Sequence, residues 1–355
     1  MFEFSSQFET HGADIKIVGI GSSGINAINR MIEQKLQGVE FIGINTDMQS
    51  LARSRAGINI PIGEKITFGL GTGGNMEKGI QAIEQDKEEV IKALEGADLI
   101  FITTGLGGGT GTGCAYKIAE YAQEIGALSV GVVTKPFKFE GLKRMRVARQ
   151  GLELLKKIAD TVITIPNDRL LQVTSSNVSM LEAFKLADNI LVQGVQSIIE
   201  LVNVPALINL DFADLKTVIV KSGNAMIGIG EAEGDESVIS AAKQAIESPL
   251  LELPFNGAKR VLLNICGGPE LSLFEVNKAA NLVTQAADPD AQIIFGAVVD
   301  KNFQNRSRVV IIATGFGEEK QEKEKFERKE KLNKFSFKES KEDDLDIPAF
   351  LRRRG

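Results

Sequence analysis

Short apolar runs alternate with amphipathic segments through the first half of this chain, and that alternation leaves few folds open. IKIVGI (15–20), VEFIGINTD (39–47), ADLIFITT (97–104), LSVGVVTKPF (128–137) and TVITIP (161–166) read as buried strands. Between them, INAINRMIEQ (25–34), KGIQAIEQDKEEVIKAL (78–94), CAYKIAEYAQEIG (114–126) and GLKRMRVARQGLELLKKIA (141–159) have helical periodicity. The first of these puts Ile25, Ile28, Met31 and Ile32 along one side. Strands that are apolar throughout need both sheet faces covered, so this half is expected to be an α/β domain with a parallel sheet.

The segment 179–203, SMLEAFKLADNILVQGVQSIIELVN, is long, periodic and free of proline. Ser179 and Glu182 have capping-box spacing, so one long helix is expected to join two domains. From Leu207 to Gly317, LKTVIVKSG, KRVLLNICGG, AQIIFGAVVD and SRVVIIATGF read as strands, with helices at 236–248 and 273–287. This predicts a smaller α+β domain with a mixed sheet. Beyond Gly317 the chain is dense in both charges, as expected of a disordered linker over 318–342. An exposed single helix is the alternative, since Glu319/Lys323 and Glu327/Lys331 have supporting spacing. DDLDIPAFLRRR then restores Leu345, Ile347, Phe350 and Leu351, too few for a core, which suggests a docking peptide at 343–355. The expected units are therefore 1–178, 179–206, 207–317, 318–342 and 343–355.

A net charge of −6 makes a nucleic-acid surface an unexpected partner. Two cysteines, Cys114 and Cys266, lie far apart with no CxxC pair, which suggests a reducing compartment. The one histidine, His11, sits in a polar N-terminal segment, which removes histidine triads and His-rich zinc sites. No segment has the make-up of a signal peptide or the length of a membrane span, so a soluble intracellular protein is expected.

From Gly105 to Gly113, six of nine residues are glycine, between an apolar strand and a helix. Backbone without Cβ atoms can approach a ligand closely, and its N–H groups with the helix dipole favour an anion. Thr110 and Thr112 can add hydroxyls. A second such turn, VGIGSSGINAIN, holds Gly19, Gly21 and Gly24 as G-x-G-x-x-G, with Asp47 after the next strand. Alone this suggests NAD. Two phosphate loops and no acid/base histidine favour a polyphosphate instead, with an NAD-dependent oxidoreductase as the alternative. There is no G-x-x-x-x-G-K-[ST], so the cradle would lack a P-loop lysine. Phe184 and Asp188, four apart, share a helix face. A ring beside a carboxylate can stack on a base and accept from the N1–H and amine of guanine, which adenine does not offer as a pair. The same spacing also fits an ordinary core edge beside a solvated face.

Taken together, several motifs resemble the FtsZ family, the bacterial relatives of tubulin. GGGTGTG (107–113) matches its signature in full, and around it stand NTD (45–47), TKPFKFEG (134–141), IPNDRLL (165–171), EAFKLADN (182–189), LINLDFAD (207–214), AIESPLLE (245–252), LSLFEV (271–276), IATGF (312–316) and the tail DIPAFLRRR. The resemblance implies a Rossmann-like GTP-binding domain joined by a central helix to an α+β domain. It further implies a cytoplasmic GTPase that polymerises into protofilaments and forms the division ring at mid-cell. By motif, Gly21, Ser22, Ser23, Gly24 and Asn26, with Gly108, Gly109, Thr110 and Gly111, would hold the phosphates of GTP or GDP. Asn26, Phe184 and Asp188 would meet guanine, and Glu140, Arg144 and Asn167 the ribose side. Asn45 and Asp47 would act through Mg2+ or its waters, with no side chain serving as a dedicated metal ligand. Asp211 and Asp214, helped by Asn209, would enter the neighbouring subunit's site and orient the attacking water. Without the family, two aspartates at a helix start read as caps. The tail from Asp344 to Arg354 would dock on membrane-tethering and regulatory division proteins.

The chain departs from the family where Ser22 and Ser23 replace glycines, which would lower affinity if positive φ is needed there. In GLGTGGNMEKG (69–79), Thr72, Gly74 and Met76 replace two alanines and a proline, which predicts a less stiff loop. Cys114 and Tyr116 replace an alanine and a proline.

Overall fold

The computed structural model describes residues 13–172, 179–203, 211–301 and 303–316. His11, Asn209, the expected linker and the expected docking peptide lie outside them. The described residues up to Gly315 form one compact unit. Its first part runs β1 (Ile15–Ile20), α1 (Gly21–Glu33), β2 (Val39–Asn45), α2 (Met48–Leu51), β3 (Ile58–Pro61), α3 (Glu64–Thr67), α4 (Met76–Gln85), α5 (Lys87–Leu94), β4 (Leu99–Gly105), α6 (Gly109–Glu124), β5 (Leu128–Lys135), α7 (Leu142–Ile158), β6 (Thr161–Pro166) and α8 (Asn167–Leu170). The long helix α9 (Met180–Asn203) follows. Then come α10 (Phe212–Ile219), β7 (Gly223–Glu233), α11 (Ser237–Ile246), β8 (Arg260–Gly267), α12 (Leu273–Ala286), β9 (Gln292–Val299) and β10 (Arg306–Thr314).

One ten-stranded sheet has the order β3-β2-β1-β4-β5-β6-β7-β10-β8-β9. The strands from β3 to β7 are parallel, β10 is antiparallel to β7 and β8, and β9 is parallel to β8. This is the expected parallel half and mixed half, joined where β6 meets β7. One core, with Ile17, Phe101 and Val130 of the strands, takes in α1 and α9. The other, with Val18, Ile100 and Val133, takes in α4, α6 and α7. The alternation along β1 thus divides its side chains between two apolar layers.

Ser179 and Glu182 form the expected box at the start of α9. The Ser179 N–H donates to Oε2 of Glu182 at 2.8 Å, and the Glu182 N–H donates to Oγ of Ser179 at 3.2 Å. Two expectations are corrected. LKTVIVKSG is not a strand: its start belongs to helix α10, which buries Leu215, Val218 and Ile219 at helical spacing and leaves Lys216 and Thr217 outside. Burial at i, i+3 and i+4 overrides the strand preference of a β-branched run. The strand is β7, just after it, where Gly228 and Gly230 let α11 approach so closely that Cβ atoms there would meet the carbonyls of Ala245 and Ala241. The single helix expected at 78–94 is two helices broken at Asp86, whose carboxylate accepts from the Gly63 N–H at 2.6 Å.

Candidate functional site

β1, β4, β5 and β6 end at one edge of the sheet, and the loops that follow them build the site. α1 and α6 both begin there. Neither has a side-chain hydrogen bond at its N-cap, and neither has an acid in its first turn. Two helix N-termini thus present backbone N–H groups with no local carboxylate against them. The loops touch: a Cβ on Gly21, at φ 68°, would lie 3.3 Å from the Gly111 nitrogen. Gly107 turns the second loop at φ 105°. A Cβ on Gly109 would strike Oγ1 of Thr72 and the Asn75 carbonyl, whereas one on Gly108 would meet nothing within 4 Å. The cluster therefore combines glycines closed in by protein with one that faces open space. Much of GGGTGTG is not loop at all, since α6 starts at Gly109.

Ser22 and Ser23 lie inside α1 and are absent from the positive-φ positions among the described residues, so replacing glycine brings no backbone strain there. Oγ of Ser23 accepts from the Gly105 N–H at 2.7 Å and ties the first loop to the second. Ser22 and Asn26 are exposed beside it. The Thr110 hydroxyl lies 2.7 Å from that of Thr46 and 3.4 Å from that of Thr72. Thr112 is committed instead, accepting from the Gly107 N–H at 2.8 Å. In the 71–75 loop, Gly71, Gly73 and Gly74 all use positive φ, and Met76 stands first in α4, a position that suits proline.

Asn45 is buried. Its Oδ1 accepts from the backbone N–H groups of Thr46 at 2.9 Å and Asp47 at 3.3 Å, which leaves Nδ2 without a partner. An orphan N–H suits a phosphate oxygen or a bound water and cannot ligate a cation. Asp47 caps α2, with Oδ1 accepting from the Gln49 N–H at 3.0 Å and Oδ2 making no bond among the described residues. The described residues contain no group of three or more His, Cys, Asp or Glu able to hold a metal. The donor set fits a cation held by phosphate and water, and does not fit a cage of side chains.

After β5, Phe137 and Phe139 stack at 5.0 Å between centroids, and Phe184 of α9 meets Phe137 edge-on at 5.4 Å. Phe184 keeps 38% of its surface exposed, enough for a further ring to lie on it. Glu140 accepts from the Phe137 N–H at 2.8 Å and pairs with Arg144 at 3.1 Å. Asn167, first in α8, is buried with Oδ1 unpartnered. Arg30 of α1, unforeseen in the sequence, pairs through Nε with Asp188 at 3.2 Å. Nothing in spacing links residues so far apart. The aromatic pair before Glu140 had a readable signal in PFKFE.

Burial raises the Asp188 carboxyl to about 6, while Arg30 opposes the rise. A raised carboxyl pKa favours folding at low pH, and that contribution is lost as pH climbs through about 6. Guanine would need the ionised form. If Asp188 accepts from guanine, as the family resemblance implies, guanine-nucleotide affinity should be full just above neutral pH and fall as pH drops through about 6. Arg30→Met should shift that fall to higher pH, as read by titration with a fluorescent GTP analogue. Affinity independent of pH in both proteins would count against Asp188 as the base contact.

Asp211 and Asp214 are brought together at the start of α10. Asp211 occupies the N-cap, yet its side chain makes no capping bond, so the capping role is not in use. Both are exposed. They are remote from the loops above. α9 starts beside Phe137 and runs 24 residues, about 36 Å, before the chain leads to α10. The Ile219 carbonyl at the end of α10 accepts from Oγ1 of Thr161, the first residue of β6, at the end of the strand opposite Asn167.

Residues 14–175 match the model of the Tubulin/FtsZ family, GTPase domain, and residues 223–317 that of the FtsZ family, C-terminal domain. An empty FtsZ dimer from M. jannaschii is 43% identical with a TM-score of 0.84, covering 86% of this chain and 89% of that one. A point mutant of M. jannaschii FtsZ has the same identity and TM-score, with 86% and 92% covered. CetZ2 from Haloferax volcanii, in a GTPgS-bound protofilament, shares the fold at 23% identity and a TM-score of 0.72, with 91% and 99% covered. Fold and paired glycine loops define a GTPase of tubulin type. The chain belongs to the FtsZ branch of the Tubulin/FtsZ family.

Proposed function

We propose that this GTPase assembles head to tail into protofilaments in the cytoplasm, forms the cell-division ring at mid-cell, and hydrolyses GTP at the junction of consecutive subunits. Gly21, Ser22, Ser23, Gly24, Gly108, Gly109, Thr110 and Gly111 hold the phosphates through backbone N–H groups. Guanine stacks on Phe184 and donates to Asp188, with Asn26 beside it. Glu140, Arg144 and Asn167 position the ribose. Asn45 would donate its unpartnered Nδ2–H to a phosphate oxygen, and Asp47 would accept from the waters of a Mg2+, which when bound would supply neutralisation of phosphate charge. Asp211 and Asp214, with Asn209, orient the water that attacks the γ-phosphate of the next subunit, a reaction in which positioning and charge stabilisation dominate.

The observation that carries this reading is the separation of Asp211 and Asp214 from the glycine loops of their own chain. A second copy stacked end to end brings them within reach. Exposed Phe68, Leu70 and Leu142, in segments that flank the glycine loops, supply apolar surface for such a contact. The dimer of M. jannaschii FtsZ and the protofilament of CetZ2 lend support. Sedimentation with GTP and with GDP across protein concentration tests it. Pelleting with GTP and turnover per subunit that rises with concentration are expected. A dilute, provably monomeric sample at full specific activity would refute the shared site.

Residues 1–178 serve as the nucleotide unit, 179–206 as the connection, 207–317 as the activating unit, 318–342 as a tether and 343–355 as the docking peptide. No helix among the described residues is long and apolar enough to cross a membrane, so contact with a membrane would run through partners of the tail. Removing residues 343–355 should leave GTPase turnover unchanged and abolish recruitment of a fluorescently tagged chain to the division site. Lost turnover would sink this division of roles.

A further inference from the structure

A cavity of about 610 Å³ opens between α7, the segment after β5, α8 and Glu252. Neither glycine loop lines it, nor do Phe184 and Asp188, though Asn167 adjoins both sites. Pro136 and Leu152 give it an apolar floor. Half of its charged side chains are engaged: Lys135, Glu252, Asp168 and Arg169. Lys135 pairs with Glu252 at 2.6 Å, and Arg169 donates to the carbonyls of Pro249 and Leu251 at 2.8 and 2.7 Å. Asp168 accepts from the Lys138 N–H at 3.0 Å. These contacts brace the rim.

Two cations on the α7 wall remain, Arg149 and Lys156, and neither has an ion pair among the described residues. Lys156 is half-buried. Its ammonium pKa is pushed down by burial and by Lys135, with Glu153 and Glu252 acting the other way. Glu153 stands on the same wall, four residues after Arg149 and three before Lys156, and partly offsets their charge. The lining still holds five cations (Lys135, Lys138, Arg149, Lys156 and Arg169) against three carboxylates (Glu153, Asp168 and Glu252), so a bound anion would offset part of the cost of desolvating the Lys156 ammonium. Seven residues place the two cations about 10 Å apart along the helix, within reach of one ligand through their long side chains. A dianion with three oxygens can engage both, and a monocarboxylate satisfies that geometry less well. The floor then suits an organic body, and the volume lies in the range of small-molecule sites.

We propose that this cavity binds a small organic phosphate, its phosphate between Lys156 and Arg149 and its organic part against Pro136 and Leu152. The probe is phenyl phosphate, titrated by calorimetry into the full chain saturated with GDP, with inorganic phosphate as a second arm. Saturable binding of phenyl phosphate is expected, tighter than that of inorganic phosphate, with a loss of about tenfold or more in Lys156→Met. Unchanged GTPase turnover would verify that the variant is folded. Arg149→Leu, at the exposed end of the wall, should give an independent loss and serves if Lys156→Met fails to fold. Wild-type affinity in the folded variants, or no saturable binding to the GDP-saturated chain, would overturn the site.

Discussion

Asp211→Ala will bind GTP with wild-type affinity, still sediment with GTP, and hydrolyse it about 10²-fold or more slowly. The substitution sits at an exposed helix start where the side chain makes no capping bond, so little folding stability is at stake. It is also remote from every proposed nucleotide contact of its own chain. A slow variant with intact binding is what a donated carboxylate predicts. Mixing sharpens the test. Asp211→Ala subunits combined with subunits defective in nucleotide binding should recover turnover, because each restores the half the other lacks. Impaired GTP binding by Asp211→Ala alone, or no recovery on mixing where the two co-assemble, would count against donation.

Gly108 and Gly109 are neighbours that should fail in opposite ways. Gly108 has φ −84°, open to any residue, and a Cβ there would meet no protein atom within 4 Å. Gly108→Ala should keep its melting temperature and, if phosphate occupies the space proposed for it, lose GTP affinity by about tenfold to a hundredfold, because its methyl enters that space. Gly109→Ala should lose about 1–3 kcal/mol of folding stability, since its Cβ would strike the Asn75 carbonyl and the Thr72 hydroxyl. Thermal unfolding with and without nucleotide separates the two. Unchanged GTP affinity in Gly108→Ala would mean that the open space is not the phosphate site.

How much the sequence disclosed depended on how local the cause was. IKIVGI and TVITIP are strands with the bounds their apolar runs predicted, because a strand covered on both faces leaves a continuous apolar imprint. The Ser179–Glu182 box was legible because the interaction spans three residues. α10 was misread because LKTVIV has strand composition, and only its burial pattern, which requires the fold, makes it helical. β7 was missed for the converse reason: its central glycines serve the approach of α11, a tertiary need without a local signature. The glycine loops stood out as motifs, but the chain does not announce that Gly109 is helical or that Asn45 is left with an unpartnered N–H. Arg30 against Asp188 is a contact between distant helices and has no trace in spacing.

The length of α9 has an arithmetical consequence. If guanine binds near one end of that helix and the water-orienting acids follow the other, the two ends of one subunit serve two different reactions. An open row of n subunits then contains n − 1 complete sites, because head-to-tail stacking leaves one terminal nucleotide without a donor. Turnover per subunit should scale as (n − 1)/n, half its limiting value in a dimer and near that limit in long filaments. The terminal nucleotide would stay as GTP for as long as its end remains bare, so each open filament would keep one unhydrolysed GTP whatever its age.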